Sequence, residues 1–240
     1  MLVVDVIPTL KDNYSYVVRK SDSNDVIVID PGEADPVIKH CKDHNLKPRH
    51  VLNTHHHWDH VNGNQGVVDC FGAQLFGPAT EADRINGVDQ ALSAGDVISL
   101  LDSKVEVTEV SGHTSGHLVF YFSDEGLLFS GDVLFAMGCG RLFEGTAEQM
   151  FEGFQYFRSL PDETKVYCGH EYTLDNGRFC MSVFPENEEI KSRVVHVERQ
   201  RQKGQVTIPT TIGQEKRTNA FMMAKTAKEF AVLRAQKDEF

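Results

Sequence analysis

The chain has 240 residues, enough for one sizeable domain or for one domain with a small addition. Hydrophobic residues make up 40% and charged residues 25% of it, a composition typical of a globular protein with a core. Its formal net charge of −11 argues against general nucleic-acid binding.

The N-terminal sequence and the cysteines indicate a cellular compartment. MLVVDVIPTLKDNY has no basic segment ahead of its apolar residues, so it does not resemble a signal peptide. No stretch approaches the roughly 20 apolar residues of a membrane span. Five cysteines without a tight spacing pattern are typical of reduced thiols. We therefore expect a cytoplasmic protein that does not enter a membrane.

Strand-like and helix-like segments alternate over the first two thirds of the chain. SYVVRK and DVIVIDPG predict strands that turn residues close, and DPVIKHCKDHN has the spacing of a helix. RHVLNT predicts a short apolar strand that leads into the sequence NTHHHWDH. Further strands are predicted for KVEVTEV, HLVFYFS, GLLFSGD and KVYCGHE. This alternation favours an α/β or α+β fold.

A helix is predicted to begin after Thr146. Thr146 and Gln149 have capping-box spacing, and Met150, Phe154 and Phe157 would then share one face. Both features agree on the same start, so the helix is expected to pack on the core.

From about residue 173 the sequence becomes polar and largely helical, with one irregular stretch, QVTIPTTIG. Thr226 and Glu229 repeat the capping-box spacing before a last helix. We place a boundary near residue 172, which gives domains of residues 1–172 and 173–240.

The two ends of the chain differ in charge. Residues 191–240 hold 11 Lys and Arg against 5 Asp and Glu, whereas residues 1–190 hold 13 against 30. The basic end is either a solvated helical face or a surface that receives an anionic ligand.

The sequence NTHHHWDH places His55, His57, Asp59 and His60 in an H-x-H-x-D-H pattern. In an extended segment His55 and His57 point the same way, whereas His56 points away. If the chain then turns, Asp59 and His60 face a second point nearby. Neutral imidazole and carboxylate groups suit zinc, and also iron or manganese. Two ligand pairs so close together favour two metal ions over one.

Three more candidate ligands follow predicted strands. His113 lies in VSGHTSGH, Asp132 in LLFSGDVLF and His170 in VYCGHEY, each beside a glycine that allows close backbone approach. A lone buried His or Asp is more often structural, but three at equivalent places beside a ligand-dense loop favour a shared site.

The predicted ligands are sufficient for two ions. One would take His55, His57 and His113, and the other Asp59, His60 and His170. Asp132 has two oxygens and can bridge both ions. Two ions about 3.5–4 Å apart fit hydrolases in which a bridging water loses its proton near neutral pH.

This ligand set resembles that of the metallo-β-lactamase superfamily and, within it, of the glyoxalase II (hydroxyacylglutathione hydrolase) family. The resemblance extends over nearly the whole chain and includes DNYSYVV, VIDPG, THHHWDHVNGN, GHTSGH, FSGDVLF, GCGRLFEGTAEQM, CGHEYT and LRAQKDEF. It implies an αββα sandwich with the metals at one edge, followed by a small helical domain that binds glutathione. It also implies that a metal-bridging hydroxide hydrolyses S-D-lactoylglutathione to glutathione and D-lactate.

The same resemblance implies substrate-binding roles. Arg141 stands where the family has a basic residue, and Phe143 stands where many members have Tyr. Tyr172 matches a tyrosine that contacts glutathione, and Arg234 and Lys237 match two basic residues that hold its glycine carboxylate. Without the resemblance, Arg234 and Lys237 would equally suit the C-terminal dipole of a helix. Without it, Arg141 could equally be an ordinary surface residue, and Tyr172 could equally be an aromatic residue that packs in the core.

In the stretch NAFMM, Ala220 stands where the family often has proline, and Met223 stands where it has arginine. We interpret that family arginine as structural. Asp30 either supports a ligand histidine or begins a turn before Pro31. Cys168 is expected in the core rather than as a nucleophile.

Asp59 and Asp132 are expected to orient the attacking water while they remain metal ligands. Because a thiolate leaves readily, a dedicated general acid is not required. The alternative is a persulfide dioxygenase of the same superfamily, which holds one iron. The complete second ligand group and the basic C-terminal pair favour the dinuclear hydrolase. Its partner would be a small glutathione thioester, and the chain is expected to be a monomer.

Overall fold

The computed structural model describes residues 1–240 and divides into two compact units. The first contains residues 1–109 and 116–125, and the second contains residues 110–115 and 126–240. The predicted boundary near residue 172 lies inside the second unit, and it stays a prediction. No helix combines the length and the apolar character that crossing a bilayer requires.

A six-stranded mixed sheet forms the base of the first unit. In pairing order its strands are β1 (Leu2–Thr9), β2 (Asn13–Lys20), β3 (Asp25–Ile29), β4 (Lys47–Leu52), β5 (Gln74–Pro78) and β6 (Gln90–Leu92). β1 to β3 pair antiparallel, whereas β3 to β6 pair parallel. Parallel strands end at a common edge, so the loop after β4 starts beside those after β3 and β5.

Short helices connect these strands: α1 (Ala34–Asp43), α2 (Trp58–Val61), α3 (Asn64–Phe71) and a 3-10 helix, Ala79–Arg84. Val37 and Cys41 of α1 and Val67 of α3 share one buried apolar cluster with Val28 and Val51 of the sheet. The predicted helix over DPVIKHCKDHN is confirmed, and its apolar positions face the core.

The first unit also contains three antiparallel strands, β7 (Val97–Leu100), β8 (Ser103–Glu109) and β9 (Leu118–Phe122). Every residue of β9 is buried, as its unbroken apolar sequence predicts. The strands predicted for KVEVTEV and HLVFYFS are therefore confirmed.

The second unit combines a short sheet with six helices. Its strands are β10 (Leu127–Gly131), β11 (Leu134–Phe135), β12 (Gly138–Cys139), β13 (Lys165–Cys168) and β14 (Thr210–Thr211). β10 and β13 pair parallel, β14 pairs antiparallel with β13, and β11 and β12 form a hairpin. The helices are α4 (Ala147–Ser159), α5 (Thr173–Val183), α6 (Glu188–Gln202), α7 (Ile212–Thr218), α8 (Ala220–Met223) and α9 (Ala227–Glu239).

The capping predictions for α4 and α9 have different outcomes. At Thr146 the capping box is complete, because Gln149 bonds back to the Thr146 N–H. At Thr226 the side chain accepts the Glu229 N–H, but Glu229 bonds to the N–H of Lys225 instead. The predicted start of both helices is confirmed, and the second box is only half formed.

All five cysteines are free, and Cys70 alone is exposed. Burial raises the pKa of the Cys168 thiol to about 12, so this thiol stays protonated and is a poor nucleophile. The prediction that Cys168 belongs to the core is confirmed.

Candidate metal centre

The H-x-H-x-D-H segment begins three residues after β4 ends, at the edge where the parallel strands end. His55 Nε2 and His57 Nδ1 lie 3.1 Å apart. α2 starts at Trp58, and this change from extended to helical backbone redirects the next side chains. His60 Nε2 and Asp59 Oδ2 lie 3.7 Å apart as a second pair. The structure therefore brings the four residues together as two neighbouring pairs.

Asp30, buried at the end of β3, orients two of these histidines. Its carboxylate accepts the Thr54 hydroxyl at 2.7 Å and the His60 Nδ1–H at 3.1 Å. Since the Thr54 hydroxyl donates to Asp30, its oxygen accepts the His55 Nδ1–H at 3.0 Å. Both Nε2 atoms are then left as lone-pair donors, the form that binds a metal. The expected contact between Asp30 and a candidate ligand histidine is present, and the ligand role of His60 stays a prediction.

Two further side chains of the first unit contact the cluster, and the sequence analysis missed both. Asn13 Nδ2 donates to Asp59 Oδ2 at 2.9 Å. The buried His117 ring stacks on His55, with centroids 4.7 Å apart. His117 could have been found, because it is the second histidine of GHTSGH. Nothing in the sequence around Asn13 indicates its contact with Asp59.

In the second unit Asp132 lies between two histidines. Asp132 Oδ2 is 3.4 Å from His113 Nε2 and 3.2 Å from His170 Nε2. All three residues are buried. A single carboxylate oxygen thus faces both imidazoles, as a bridging ligand would.

The segment Gly140–Arg141 packs closely against both His113 and Asp132. His113 Nδ1–H donates to the Arg141 carbonyl at 3.0 Å, which leaves Nε2 as the lone-pair donor. A Cβ atom on Gly140 would lie 1.8 Å from the Asp132 carbonyl oxygen. Only glycine allows this approach, so the GCGR sequence helps to set the position of Asp132.

The donor set fits divalent metal ions. Two nitrogens bound at about 2.0–2.1 Å in a tetrahedral site lie about 3.3 Å apart. The His55–His57 separation of 3.1 Å and the two Asp132–His separations of 3.4 and 3.2 Å are close to this value. Imidazole and carboxylate are also the donors that zinc, iron and manganese accept.

Comparison with known proteins decides the family. The profile of the metallo-beta-lactamase superfamily matches residues 8–170, and that of the hydroxyacylglutathione hydrolase C-terminus matches residues 171–240. A protein of Pelagibacter ubique named hydroxyacylglutathione hydrolase is 40% identical over 99% of this chain and 99% of its own length. The chain belongs to the hydroxyacylglutathione hydrolase family. The predicted resemblance is confirmed.

Other comparisons agree. A hydroxyacylglutathione hydrolase of Rhizobium johnstonii is 42% identical over 100% of this chain and 99% of its own length. The crystal structure of the BLEG-1 B3 metallo-beta-lactamase has a TM-score of 0.71 and 24% identity, and covers 92% of this chain and 100% of that one. This likeness confirms the metallo-β-lactamase fold. Superfamily membership together with the His and Asp groups implies divalent metals.

Three substrate residues predicted from the hydroxyacylglutathione hydrolase family lie near the candidate metal ligands of the second unit. The Tyr172 ring stacks on His170, with centroids 4.7 Å apart and planes within 5°. Phe143, 60% exposed, lies edge-on to His113 at 5.2 Å. Arg141 supplies the carbonyl that holds His113, and its guanidinium is exposed. An accessible aromatic and cationic surface therefore adjoins these ligands.

Arg234 and Lys237 of α9 have different surroundings. Arg234 is buried and donates to the Cys139 carbonyl at 2.7 Å and to Asp238 at 2.9 Å. Lys237 is half-buried, with its ammonium over the Phe179 and Phe240 rings. Burial, followed by the nearby Arg234 charge, lowers the pKa of Lys237. Lys237 is the more accessible cation, and Arg234 chiefly supports the loop before Arg141.

The two departures from the family pattern have a local explanation. The Ala220 N–H points at Cys180 Sγ, 3.4 Å away, a contact that proline could not make. Near Met223, Arg158 of α4 donates to the carbonyls of Phe221, Met222 and Ala224 at 3.0, 2.9 and 2.6 Å. Arg158 thus holds α8 in place without an arginine at position 223.

Proposed function

We propose that the chain hydrolyses the thioester of 2-hydroxyacyl-glutathiones, above all S-D-lactoylglutathione, to glutathione and D-lactate. The observation that carries the proposal is the match, over 99% of both chains, to a relative named for this reaction. The two ligand groups support it, because each presents histidine and aspartate donors at metal-binding spacing.

We propose that two divalent metal ions take part in the reaction. Zinc is the first choice for both ions, and iron and manganese are the alternatives. His55, His57 and His113 would hold one ion, Asp59, His60 and His170 would hold the other, and Asp132 would contact both. When bound, the ions lower the pKa of a water molecule and polarise the thioester carbonyl. The superfamily profile, which matches residues 8–170, supports metal binding by this part of the chain.

The chain's own residues would orient the reactants. The carboxylates of Asp59 and Asp132 accept hydrogen bonds from the attacking water and so fix its direction. Asn13 in turn fixes Asp59. The exposed faces of Tyr172 and Phe143 offer apolar contact to the glutathione part of the substrate. The departing thiolate needs no proton donor from the chain, since it is a stable anion.

Three wider expectations accompany this function. The substrate is a small molecule, and neither nucleic acid nor a membrane is a partner. The protein acts as a monomer in the cytoplasm. The helical region from residue 173 onwards would act as the glutathione-binding domain, as its excess of basic residues supports.

A paired measurement on one purified sample tests the function. Metal ions per chain are counted, and hydrolysis of S-D-lactoylglutathione is followed in the same preparation. We expect two ions and thioester cleavage. One iron per chain, with oxygen consumption on glutathione persulfide and no cleavage of the thioester, would establish the dioxygenase instead.

Replacing Lys237 with alanine is expected to raise KM for the thioester about 5-fold and to leave kcat nearly unchanged. A partly exposed ion pair contributes about 1 kcal/mol, which is about 5-fold in affinity. Its loss affects substrate and transition state alike. Steady-state kinetics measures the effect. Arg234→Ala is expected to raise KM as well, with lower thermal stability, because the Cys139 carbonyl loses its donor.

Lys191→Ala on α6 is the matched control, because it removes the same charge from an exposed pair with Glu188. If both variants raised KM equally, only the overall charge would matter, and the assignment of Lys237 to glutathione would be wrong.

A further inference from the structure

Glu81 is a fully buried carboxylate in the 3-10 helix Ala79–Arg84. Its Oε2 accepts the backbone N–H of His56 at 2.8 Å and the His56 Nδ1–H at 2.7 Å. Its Oε1 accepts the backbone N–H of Gly116 at 2.8 Å. A charge without solvent is costly, so three donors on one carboxylate indicate a fixed position for both partners.

These partners belong to two loops that carry imidazoles of the candidate centre. His56 lies between His55 and His57, so a fixed backbone at His56 sets the starting direction of both neighbours. Gly116 precedes His117, whose ring stacks on His55. Glu81 therefore influences the position of His55 through the neighbouring His56 and through His117, although it makes no hydrogen bond to His55 or His57.

The close packing around Gly116 allows its N–H to reach the Glu81 carboxylate. A Cβ atom at Gly116 would lie 1.8 Å from Thr80 Oγ1 and 3.1 Å from Glu81 Cγ. A larger residue would push the 3-10 helix away from the loop. Two residues later, the Leu118 N–H donates to the Thr54 carbonyl at 2.8 Å, which continues the link between the same two loops.

The direction of the His56 ring follows from the same contact. Because its Nδ1 is bound to Glu81, this nitrogen of His56 does not compete for an ion, although the ring lies edge-on to His57 with centroids 4.8 Å apart. Removing the carboxylate would release the His56 backbone and ring together, because both donate to the same oxygen.

We propose that Glu81 is a positioning residue that sets the geometry of the metal site of His55 and His57. This inference rests on the proposed dinuclear function. Residues that orient metal ligands typically contribute about 10–100-fold to metal affinity. Asp59 and His60 are oriented by Asn13 and Asp30 instead, so the effect of Glu81 is confined to one of the two ions.

The test compares Glu81→Gln, Glu81→Asp and the wild type in the metal-free form. Glutamine has one acceptor oxygen and cannot serve both His56 and Gly116. Aspartate keeps the charge but is one methylene shorter. Each protein is titrated with Zn²⁺ against a chromophoric chelator, and the fluorescence of Trp58, the only tryptophan, is recorded alongside. Asp89→Asn, which alters a carboxylate that accepts the Leu75 N–H, is the matched control.

We expect Glu81→Gln to weaken one of the two zinc equivalents about 10–100-fold and to leave the other within about 3-fold. Glu81→Asp should fall between Glu81→Gln and the wild type, and Asp89→Asn should match the wild type. If Glu81→Gln does not fold, Glu81→Asp decides. Wild-type affinity at both sites, or equal weakening of both, would overturn the inference. A wild-type protein that binds no zinc would instead contradict the proposed function.

Discussion

His57→Ala is expected to bind one metal ion fewer per chain and to lose about 1,000-fold in kcat/KM. A bound metal stabilises the transition state by several kcal/mol, and about 4 kcal/mol corresponds to about 1,000-fold in rate. His57 is a direct ligand in the proposed centre, so the substitution removes one metal-binding nitrogen. Metal analysis and thioester kinetics on the same preparation measure both effects.

The fold should survive this substitution. His57 is half-buried in the loop between β4 and α2, outside the apolar cluster around Val28 and Val51. Circular dichroism and the melting temperature of the metal-free protein should therefore stay close to the wild type. His44→Ala, at the exposed end of α1, is the control for removing a histidine. If His57→Ala kept two ions and normal turnover, the assignment of the first ligand group would be wrong.

The candidate ligands were predictable because their signals are local. A polar residue beside glycine, directly after an apolar strand, marks the end of that strand whatever the rest of the fold does. Asp132 and His170 have this signal one and two residues after β10 and β13, whereas His113 lies four residues after β8, whose apolar and polar residues alternate. Asp132 lies within 3.4 Å of both histidines. The four residues of the H-x-H-x-D-H pattern are close in sequence, so only a change of backbone direction at Trp58 was needed.

The groups that orient these ligands depend on tertiary contacts and could not be predicted in the same way. Asn13 lies 46 positions from Asp59, and Glu81 lies 25 positions from His56. Nothing near either residue indicates its partner. For Asp30 the sequence left two interpretations open, because its place before Pro31 equally suits the start of a turn. The structure shows its contact with His60, which favours the support of a candidate ligand histidine.

The C-terminal helices show another limit of sequence reasoning. The sequence around Met223 indicates a missing arginine, but not that Arg158 from α4 holds the same segment. Short elements such as the two-residue strands β11, β12 and β14 were also missed, because two residues carry no measurable periodicity.

Glu215→Ala is expected to destabilise the protein by about 4 kcal/mol and to lower its melting temperature by about 8–16 °C. Glu215 is fully buried, and one of its oxygens accepts Arg193 Nη2 at 2.6 Å. The other accepts the Met137 N–H at 2.7 Å and Asn219 Nδ2 at 2.9 Å. Without the carboxylate, Arg193 is left as a buried charge with no counterion, which is costly.

The hydrogen bonds of Glu215 and Asn219 explain why the loss of stability should be large. Met137 lies in the turn of the β11–β12 hairpin with a φ of +60°, a strained conformation for a residue with a side chain. Glu215 and Asn219 supply hydrogen bonds that hold this turn, since Asn219 Nδ2 also donates to the carbonyls of Phe135 and Gly138. Removing Glu215 therefore weakens both the ion pair and the hairpin.

Denaturant and thermal unfolding measure the effect of Glu215→Ala against Glu189→Ala as the control. Glu189 pairs with Arg217 at 2.9 Å, but both side chains are more than half exposed, so its loss should cost no more than about 1 kcal/mol. The double variant Arg193→Met/Glu215→Leu should recover part of the stability, because it removes the unpaired charge. Recovery should be incomplete, since the Met137 N–H still lacks its acceptor. A loss for Glu215→Ala no larger than that for Glu189→Ala would show that the buried pair contributes nothing beyond a surface pair.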